Sequence, residues 1–121
     1  MKILHTADWH LGTFRSPVRD GVNLRTEDTK RCLDELIRVA NEEKPDYSLV
    51  SGDIFHVGRL WSDRCCEEII TAIHYIRELA AVSKQVVVMR GTPNHDGSGQ
   101  FNVLSEMFAD VPNVHVVITP Q

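Results

Sequence analysis

The stretch that decides the fold is "VVVMRGTPNHDG", residues 86–97. Its first four residues are apolar and mostly β-branched, which predicts a buried strand. The chain then passes a glycine and a proline and reaches an amide, an imidazole and a carboxylate in a row, Asn94, His95 and Asp96. At the end of a buried strand these three groups suit a site that holds a metal ion or a phosphate.

Outward from this stretch, strands and helices alternate along the chain. The predicted strands are 2–8, 47–53, 85–90 and 114–119, and the predicted helices are 26–43, one that begins at 62–63, and 99–109. Residues 9–25 and 91–98 are predicted to be irregular. On the second helix the predicted buried positions are Cys66, Ile69, Ile70, Ile73, Ile76 and Ala80. The alternation predicts an α/β fold with a parallel sheet and helical crossovers, and the apolar strands predict burial on both faces.

Length and composition are those of one soluble domain. The chain has 121 residues, of which 42% are hydrophobic and 25% charged. It lacks both a run of eighteen apolar residues and an N-terminal apolar stretch of signal-peptide length, which predicts a cytoplasmic protein away from membranes. The cysteine count is odd, and Cys32, Cys65 and Cys66 are predicted to be buried free thiols in a reducing compartment.

The charge balance argues against a protein that grips nucleic acid by bulk electrostatics, because the formal net charge is −4. Residues 15–31 are a local exception, with five basic and three acidic side chains. A solvated loop explains that small excess as well as a phosphate-facing rim does.

Three predicted strands end in similar polar sequences, "ADWHLG", "SGDIFHVG" and "RGTPNHDG". The carboxyl ends of parallel strands meet at one edge of the sheet, where open α/β folds bind their ligands. A single aspartate after a strand is commonly a turn former or a helix cap. Three strand ends that carry the same class of side chain, each followed by a glycine, favour a shared site instead. The residues brought to this edge are Asp8, His10, Asp53, His56, Asn94, His95 and Asp96.

Carboxylate, imidazole and amide groups without a thiolate suit Mn²⁺, Fe²⁺ or Zn²⁺. Asp8 and His10 are two residues apart, so their side chains share a side in an extended exit and can chelate one ion. Asp53 can bridge two ions, and Asn94 offers an amide oxygen to the second. Two such ions activate water for attack on a phosphate ester. His95 and His56 are then placed to stabilise the transition state or to protonate the leaving group.

The blocks D-x-H at 8–10, G-D at 52–53 and N-H-D at 94–96 resemble those of the calcineurin-like metallophosphoesterases. The longer forms "LHTADWHLG" and "GDIFHVG" resemble one branch, the SbcD-type nucleases of DNA double-strand-break repair. The resemblance implies the calcineurin-like fold and two divalent ions, Mn²⁺ foremost. It also implies a role for each site residue: Asp8 and His10 hold the first metal, Asp53 bridges, Asn94 holds the second metal, His95 is the catalytic histidine, and His56 orients the phosphate.

The chain departs from that family's pattern in two places. Thr92 and Pro93 separate Gly91 from Asn94, where the usual block is Gly-Asn-His-Asp. The family also completes its site with a further histidine and a Gly-His-x-His block, whereas this sequence has only His115 after His95. Three protein ligands are then available to the first metal and two to the second. We therefore expect residues 1–121 to be the N-terminal half of a nuclease domain whose second metal site is incomplete, without a second domain.

The resemblance further implies DNA ends as substrate and an SbcC-like ATPase as partner. Two alternatives stay open: a metallophosphoesterase that acts on nucleotides or phosphoprotein, and an inactive scaffold or dimerisation fragment. A homodimer is expected through helices after the second and third blocks. On the later helix Phe101, Leu104 and Phe108 form an apolar stripe, which suits either a dimer interface or packing on the chain's own sheet.

Overall fold

A computed structural model of the chain describes residues 1–11, 18–19, 22–56, 63–92 and 95–118. In chain order the elements are β1 (Ile3–Thr6), β2 (Val18–Arg19), β3 (Val22–Asn23), α1 (Leu24–Glu43), β4 (Tyr47–Val50), α2 (Asp63–Val82), β5 (Gln85–Met89), α3 (Ser98–Met107) and β6 (Val114–Val117). This order confirms the predicted α/β fold.

The main sheet contains β1, β4, β5 and β6 in that spatial order, and every neighbouring pair is parallel. Its register aligns Leu4, Ser48, Val86 and Val114 in one row across the four strands. In the part of the chain that the structure describes, each crossover carries one helix, and each advances the sheet in the same direction. Because such connections are right-handed, α1, α2 and α3 all cover the same face.

The two faces of the sheet differ in burial. On the helix side Val50 and Val88 are fully buried. On the opposite side Ile3, Tyr47 and Met89 keep 59%, 38% and 38% of their surface exposed. The prediction that both faces are buried is therefore wrong within the described part of the chain, where helices cover one face only.

The helices α1 and α2 contribute apolar stripes to the core, from Leu33, Ile37 and Ala40 on α1 and from Ile69, Ala72, Ile73, Ile76 and Leu79 on α2. Two predicted buried positions are wrong. Ile70 is 65% exposed, because a helix turns 100° per residue and this position lies beside the stripe. Cys32 is an exposed free thiol for the same reason, one position before buried Leu33. Ala80 is partly buried against the core, and the side chains of Cys65 and Cys66 lie outside the described set.

The helix α3 packs onto the chain's own core. Phe101 and Leu104 have no exposed surface and Phe108 has 2%. The Phe101 ring meets the Phe55 ring edge-on, with centroids 6.3 Å apart. Of the two expectations for this stripe, packing on the chain's own sheet is confirmed, and these three side chains are unavailable to a second protomer.

Residues 9–25 are less irregular than predicted. They contain the short antiparallel pair β2–β3, and α1 begins at Leu24 instead of residue 26. Two-residue strands carry too little alternation for a sequence pattern to reveal them. Within the described residues, we find that each helix is too short or too polar to cross a membrane.

Candidate metal centre

The β1 exit (residues 7–11) carries the first two predicted ligands on an unusual backbone. Asp8 and His10 both have left-handed conformations, with φ of 56° and 49°. The intervening Trp9 is buried, and its indole N–H donates a hydrogen bond to the Thr6 hydroxyl at 2.9 Å. The exit is thus not extended as predicted, yet it still brings the two ligands together: His10 Nε2 lies 3.8 Å from Asp8 Oδ1.

The β4 exit (residues 51–56) runs alongside the β1 exit beyond the end of the regular sheet. Asp8 N–H donates to Gly52 O at 3.0 Å, and His10 N–H donates to Asp53 O at 3.1 Å. A parallel bridge joins Leu11 to Phe55. This backbone ladder fixes the Asp8–His10 pair directly beside Asp53, whose own φ is 50°.

Two glycines allow the β4 exit and the β5 exit (residues 90–92 and 95–96) to touch through their backbones. Gly52 has a φ of 95°, and a Cβ there would lie 2.6 Å from Gly91 Cα. A Cβ on Gly91 would lie 2.3 Å from Asp53 Oδ1. Any side chain at either position would therefore push the two exits apart and displace the Asp53 carboxylate.

Thr92 fixes the Asp53 carboxylate from the β5 exit. Both its backbone N–H, at 3.0 Å, and its hydroxyl, at 3.1 Å, donate to Asp53 Oδ1. The Thr92 N–H is the main cause that holds the pKa of Asp53 below its ordinary value, against partial burial. His95 and His10 add a smaller effect in the same direction. Asp53 is therefore kept ionised, as a metal ligand must be.

Asp96 lies inside the protein, where its carboxylate joins the β4 and β5 exits. Its relative exposure is 0%. Oδ1 accepts a hydrogen bond from the Phe55 N–H at 3.0 Å, and Oδ2 accepts one from the Gly91 N–H at 2.7 Å. Burial raises the pKa of Asp96, and these N–H donors oppose the rise.

Three histidines gather on one side of the aspartates. His95 Nδ1 lies 2.7 Å from the His56 carbonyl oxygen, so this nitrogen carries the proton and donates it. The His95 ring meets the His10 ring edge-on with centroids 4.7 Å apart, and His56 lies 6.0 Å from His10 by the same measure. The geometry leaves His95 Nε2 as the nitrogen that can act on a ligand.

Two groups of donor atoms could hold a metal ion, and they share His10. Asp8, His10 and Asp53 form one group, and His10, His56 and His95 form the other. In each group the donor atoms all lie within 4.8 Å of one another. Ligands of one divalent ion lie up to about 4.2 Å apart, twice a bond of about 2.1 Å, so small side-chain rotations would close either group on an ion.

Comparisons with known proteins agree with a polar site at the ends of three parallel strands. Residues 1–118 match the family described as calcineurin-like phosphoesterase. The chain belongs to this family. Its four-stranded parallel sheet with helices on one face is consistent with the N-terminal half of the metallophosphoesterase fold.

Curated relatives of the chain include proteins named as a subunit of a bacterial nuclease. The chain is 30% identical over 108 residues to the SbcD subunit of the SbcCD nuclease of Staphylococcus epidermidis. It is 31% identical over 108 residues to the SbcD protein of Staphylococcus saprophyticus. Each alignment covers 89% of this chain and 26% of the relative, so the chain spans about a quarter of the length of these relatives.

The donor chemistry fits the divalent metals that the calcineurin-like family implies. Asp8, Asp53 and His10 supply two carboxylates and one imidazole, a set suited to borderline-hard ions. The three-histidine group fits the same ions, so His95 is placed either to bind an ion or to act on a substrate. The bond from His95 Nδ1 to the backbone leaves one ring nitrogen for either role.

The structure brings five of the six predicted site residues to one edge: Asp8, His10, Asp53, His56 and His95. The sixth, Asn94, lies outside the described residues. Sequence reasoning missed Thr92, which looked like an insertion, and assigned no role to Asp96. The only signal for Thr92 is its residue type, which supplies a hydroxyl donor, because its partner Asp53 lies 39 residues earlier in the chain. The partners of Asp96 are backbone groups, which no residue pattern reveals.

Proposed function

We propose that this chain provides the metal-binding edge of a metal-dependent phosphodiesterase that cleaves DNA. The observation that carries the proposal is the Asp8, His10 and Asp53 donor group beside His56 and His95, on three strand exits of a calcineurin-like phosphoesterase. The similarity to proteins named as part of a nuclease supports DNA over other phosphate esters.

In this proposal Asp8 and His10 hold the first ion, Asp53 is shared, and Asn94 reaches the second. Mn²⁺ suits the ligand set, and the second site needs ligands beyond these four. Bound divalent ions would neutralise phosphate charge and lower the pKa of a bound water. The chain's own contribution is to keep Asp53 ionised and fixed, through the two hydrogen bonds from Thr92.

His95 is proposed as the catalytic histidine. Its Nδ1 donates to the His56 carbonyl oxygen at 2.7 Å, which restrains the ring and leaves Nε2 as the nitrogen that can meet a substrate. A protonated Nε2 can donate to the leaving oxygen of a phosphodiester. His56 lies beside it, with ring centroids 6.1 Å apart, and is proposed to orient a phosphate oxygen.

The names of the relatives also suggest the protein's wider context. Both relatives are named as one of the subunits of the SbcCD nuclease. We propose an SbcC-like ATPase partner, DNA ends as substrate with exonuclease or endonuclease action, and a role in DNA repair and recombination in the cytoplasm. We also retain the predicted homodimer, through a surface other than the buried stripe on α3.

Metal binding is tested by calorimetric titration of the chain and its variants with Mn²⁺. Asp53→Ala should abolish binding, because it removes the shared carboxylate. His95→Ala should bind Mn²⁺ as the wild type does, because it loses a proton donor and keeps every proposed ligand. His74→Ala, an exposed histidine on α2, is the matched control. Equal loss of binding in the Asp53 and His95 variants would make His95 a ligand, and tight binding of two ions per chain would contradict the incomplete second site.

The substrate class is tested with Mn²⁺ on end-labelled duplex DNA and on mononucleotides. Cleavage of duplex DNA that falls about 10²–10⁴-fold in His95→Ala, with Mn²⁺ binding retained, supports the proposal, since general acid–base groups contribute that much. Hydrolysis of mononucleotides without DNA cleavage would favour a phosphoesterase for small substrates. If the metal-loaded wild type neither cleaves duplex DNA nor hydrolyses mononucleotides, the proposal is overturned for this chain.

A further inference from the structure

We propose that Asp96 is a positioning residue, whose buried carboxylate sets the distance between the ligand Asp53 and the catalytic His95. The proposal rests on the proposed function, because it assigns a task within the same metal centre. It concerns neither metal ligation nor proton transfer, since Asp96 contacts backbone groups inside the protein.

The Asp96 carboxylate is shared between two exits. Oδ1 accepts the N–H of Phe55, two residues after Asp53, at 3.0 Å. Oδ2 accepts the N–H of Gly91, the residue before Thr92, at 2.7 Å. The Asp96 side chain has no exposed surface. Its carboxylate therefore holds the backbone close to Asp53 and the backbone next to Thr92, the residue that donates hydrogen bonds to Asp53.

The backbone of Asp96 is fixed just as closely. Its N–H donates to Thr92 O at 2.8 Å, and its carbonyl accepts the Arg90 Nε–H at 2.8 Å. His95 precedes Asp96 directly, so its Cα is constrained by the same bonds. These contacts link Asp53, Thr92 and His95 through the carboxylate and the backbone of one residue, Asp96.

The substitution Asp96→Asn hardly changes the size of the side chain, so it tests the hydrogen bonds of the carboxylate separately from its packing. Asp96→Asn keeps the volume and supplies one acceptor oxygen, but its NH₂ group must face one of the two N–H donors. One backbone N–H is then left without its acceptor inside the protein, which costs free energy and pushes one exit away from the other. Movement of the β4 exit would displace Asp53, and movement of the β5 exit would displace Thr92.

The test measures Mn²⁺ affinity and thermal stability separately, at a temperature where each variant is folded. Asp96→Asn should weaken Mn²⁺ binding about 10–100-fold, the range seen when a group that holds a metal ligand is removed. The matched control is Ser48→Ala. Ser48 is also fully buried and bonded, to the Ser83 hydroxyl at 2.7 Å, but it lies near the amino end of β4. Ser48→Ala should lower the melting temperature and leave Mn²⁺ affinity unchanged.

The proposal is overturned if Asp96→Asn binds Mn²⁺ like the wild type, or if Ser48→Ala weakens binding to the same extent. If Asp96→Asn does not fold, Asp96→Glu decides. It keeps both acceptor oxygens but on a side chain one methylene longer, so a positioning role predicts Mn²⁺ binding weaker than that of the wild type, and unchanged affinity rejects the proposal. Failure of the proposed function looks different, because Mn²⁺ binding would then be insensitive to Asp53→Ala in an otherwise wild-type chain.

Discussion

Trp9 is buried between Asp8 and His10, the two residues proposed to hold the first metal. Its side chain is 6% exposed and meets the Tyr75 ring edge-on, with centroids 6.4 Å apart. Removing the ring in Trp9→Ala should lower the free energy of unfolding by about 3–5 kcal/mol, because a large buried side chain leaves a cavity. Trp9→Phe keeps an apolar ring and loses the bond to Thr6, so we expect a loss of about 1 kcal/mol. Urea unfolding followed by circular dichroism distinguishes them, and equal losses would mean that the indole N–H, not the ring, is what matters.

The residues proposed as metal ligands could be picked out from the sequence one by one, whereas the contacts that hold them could not. Asp8, His10 and Asp53 are chelating residue types directly after apolar strands, and parallel strands end at a common edge. The left-handed backbone at all three positions has only a weak local signal, since aspartate and histidine adopt it more often than most residues but residue type does not say at which position. Those contacts are backbone bonds between exits more than 40 residues apart in the chain, such as Asp8 N–H to Gly52 O.

At the opposite end of the sheet, Asp46 ties the beginnings of the strands together. Its carboxylate accepts the Lys2 backbone N–H at 2.8 Å and lies 2.9 Å from Lys84 Nζ. The Lys2 N–H, followed by Lys84, lowers the pKa of Asp46. A carboxyl whose pKa is lower in the folded than in the unfolded state stabilises the fold above its ordinary pKa of about 3.9, and that stabilisation is lost as the pH falls through the folded value.

Asp46→Asn should therefore be less stable than the wild type at pH 7, and the gap should close as the pH falls below about 4. Melting temperatures measured by circular dichroism between pH 7 and pH 3 give both curves. Asp110→Asn, at an exposed position after α3, serves as the control and should follow the wild type. A gap between Asp46→Asn and wild type that stays constant across this pH range would rule out the carboxylate as its source.

Helices with a clear hydrophobic periodicity could be predicted from the sequence, whereas the residues that form their buried faces were predicted less well. The helices α1 to α3 follow the 3.6-residue rhythm. The helix α1 begins two residues before its predicted start and ends at the predicted residue, α2 begins where predicted, and α3 begins one residue and ends two residues before prediction. Ile70 was placed in the core because isoleucine is apolar, although its position lies beside the stripe formed by Ile69 and Ile73. The predicted burial of Cys32 is wrong for the same reason. Residue type outweighed angular position in both predictions, and the packed helix follows angular position.

At the level of the whole molecule, an apolar stripe on a helix has two physical meanings that sequence cannot separate. Packing on the chain's own sheet and packing on another chain both require the spacing of Phe101, Leu104 and Phe108. The structure decides for the first, since the sheet offers a matching face and the three side chains are buried in it. A dimer of this protein must therefore use surfaces that stay exposed, such as Met107 on the outer side of α3, which is 44% exposed.

Phe101→Glu distinguishes a core residue from an interface residue. Phe101 has no exposed surface, and losing such a ring costs about 3–5 kcal/mol before the penalty of burying a carboxylate is added. Since a small domain is stable by only about 5–15 kcal/mol, we expect this variant to be largely unfolded. Met107→Glu, on the same helix, should fold like the wild type. Circular dichroism and light scattering on both variants give fold and mass together. A Phe101→Glu chain that is folded and monomeric, beside a dimeric wild type, would restore the stripe as an interface and contradict its burial in the core.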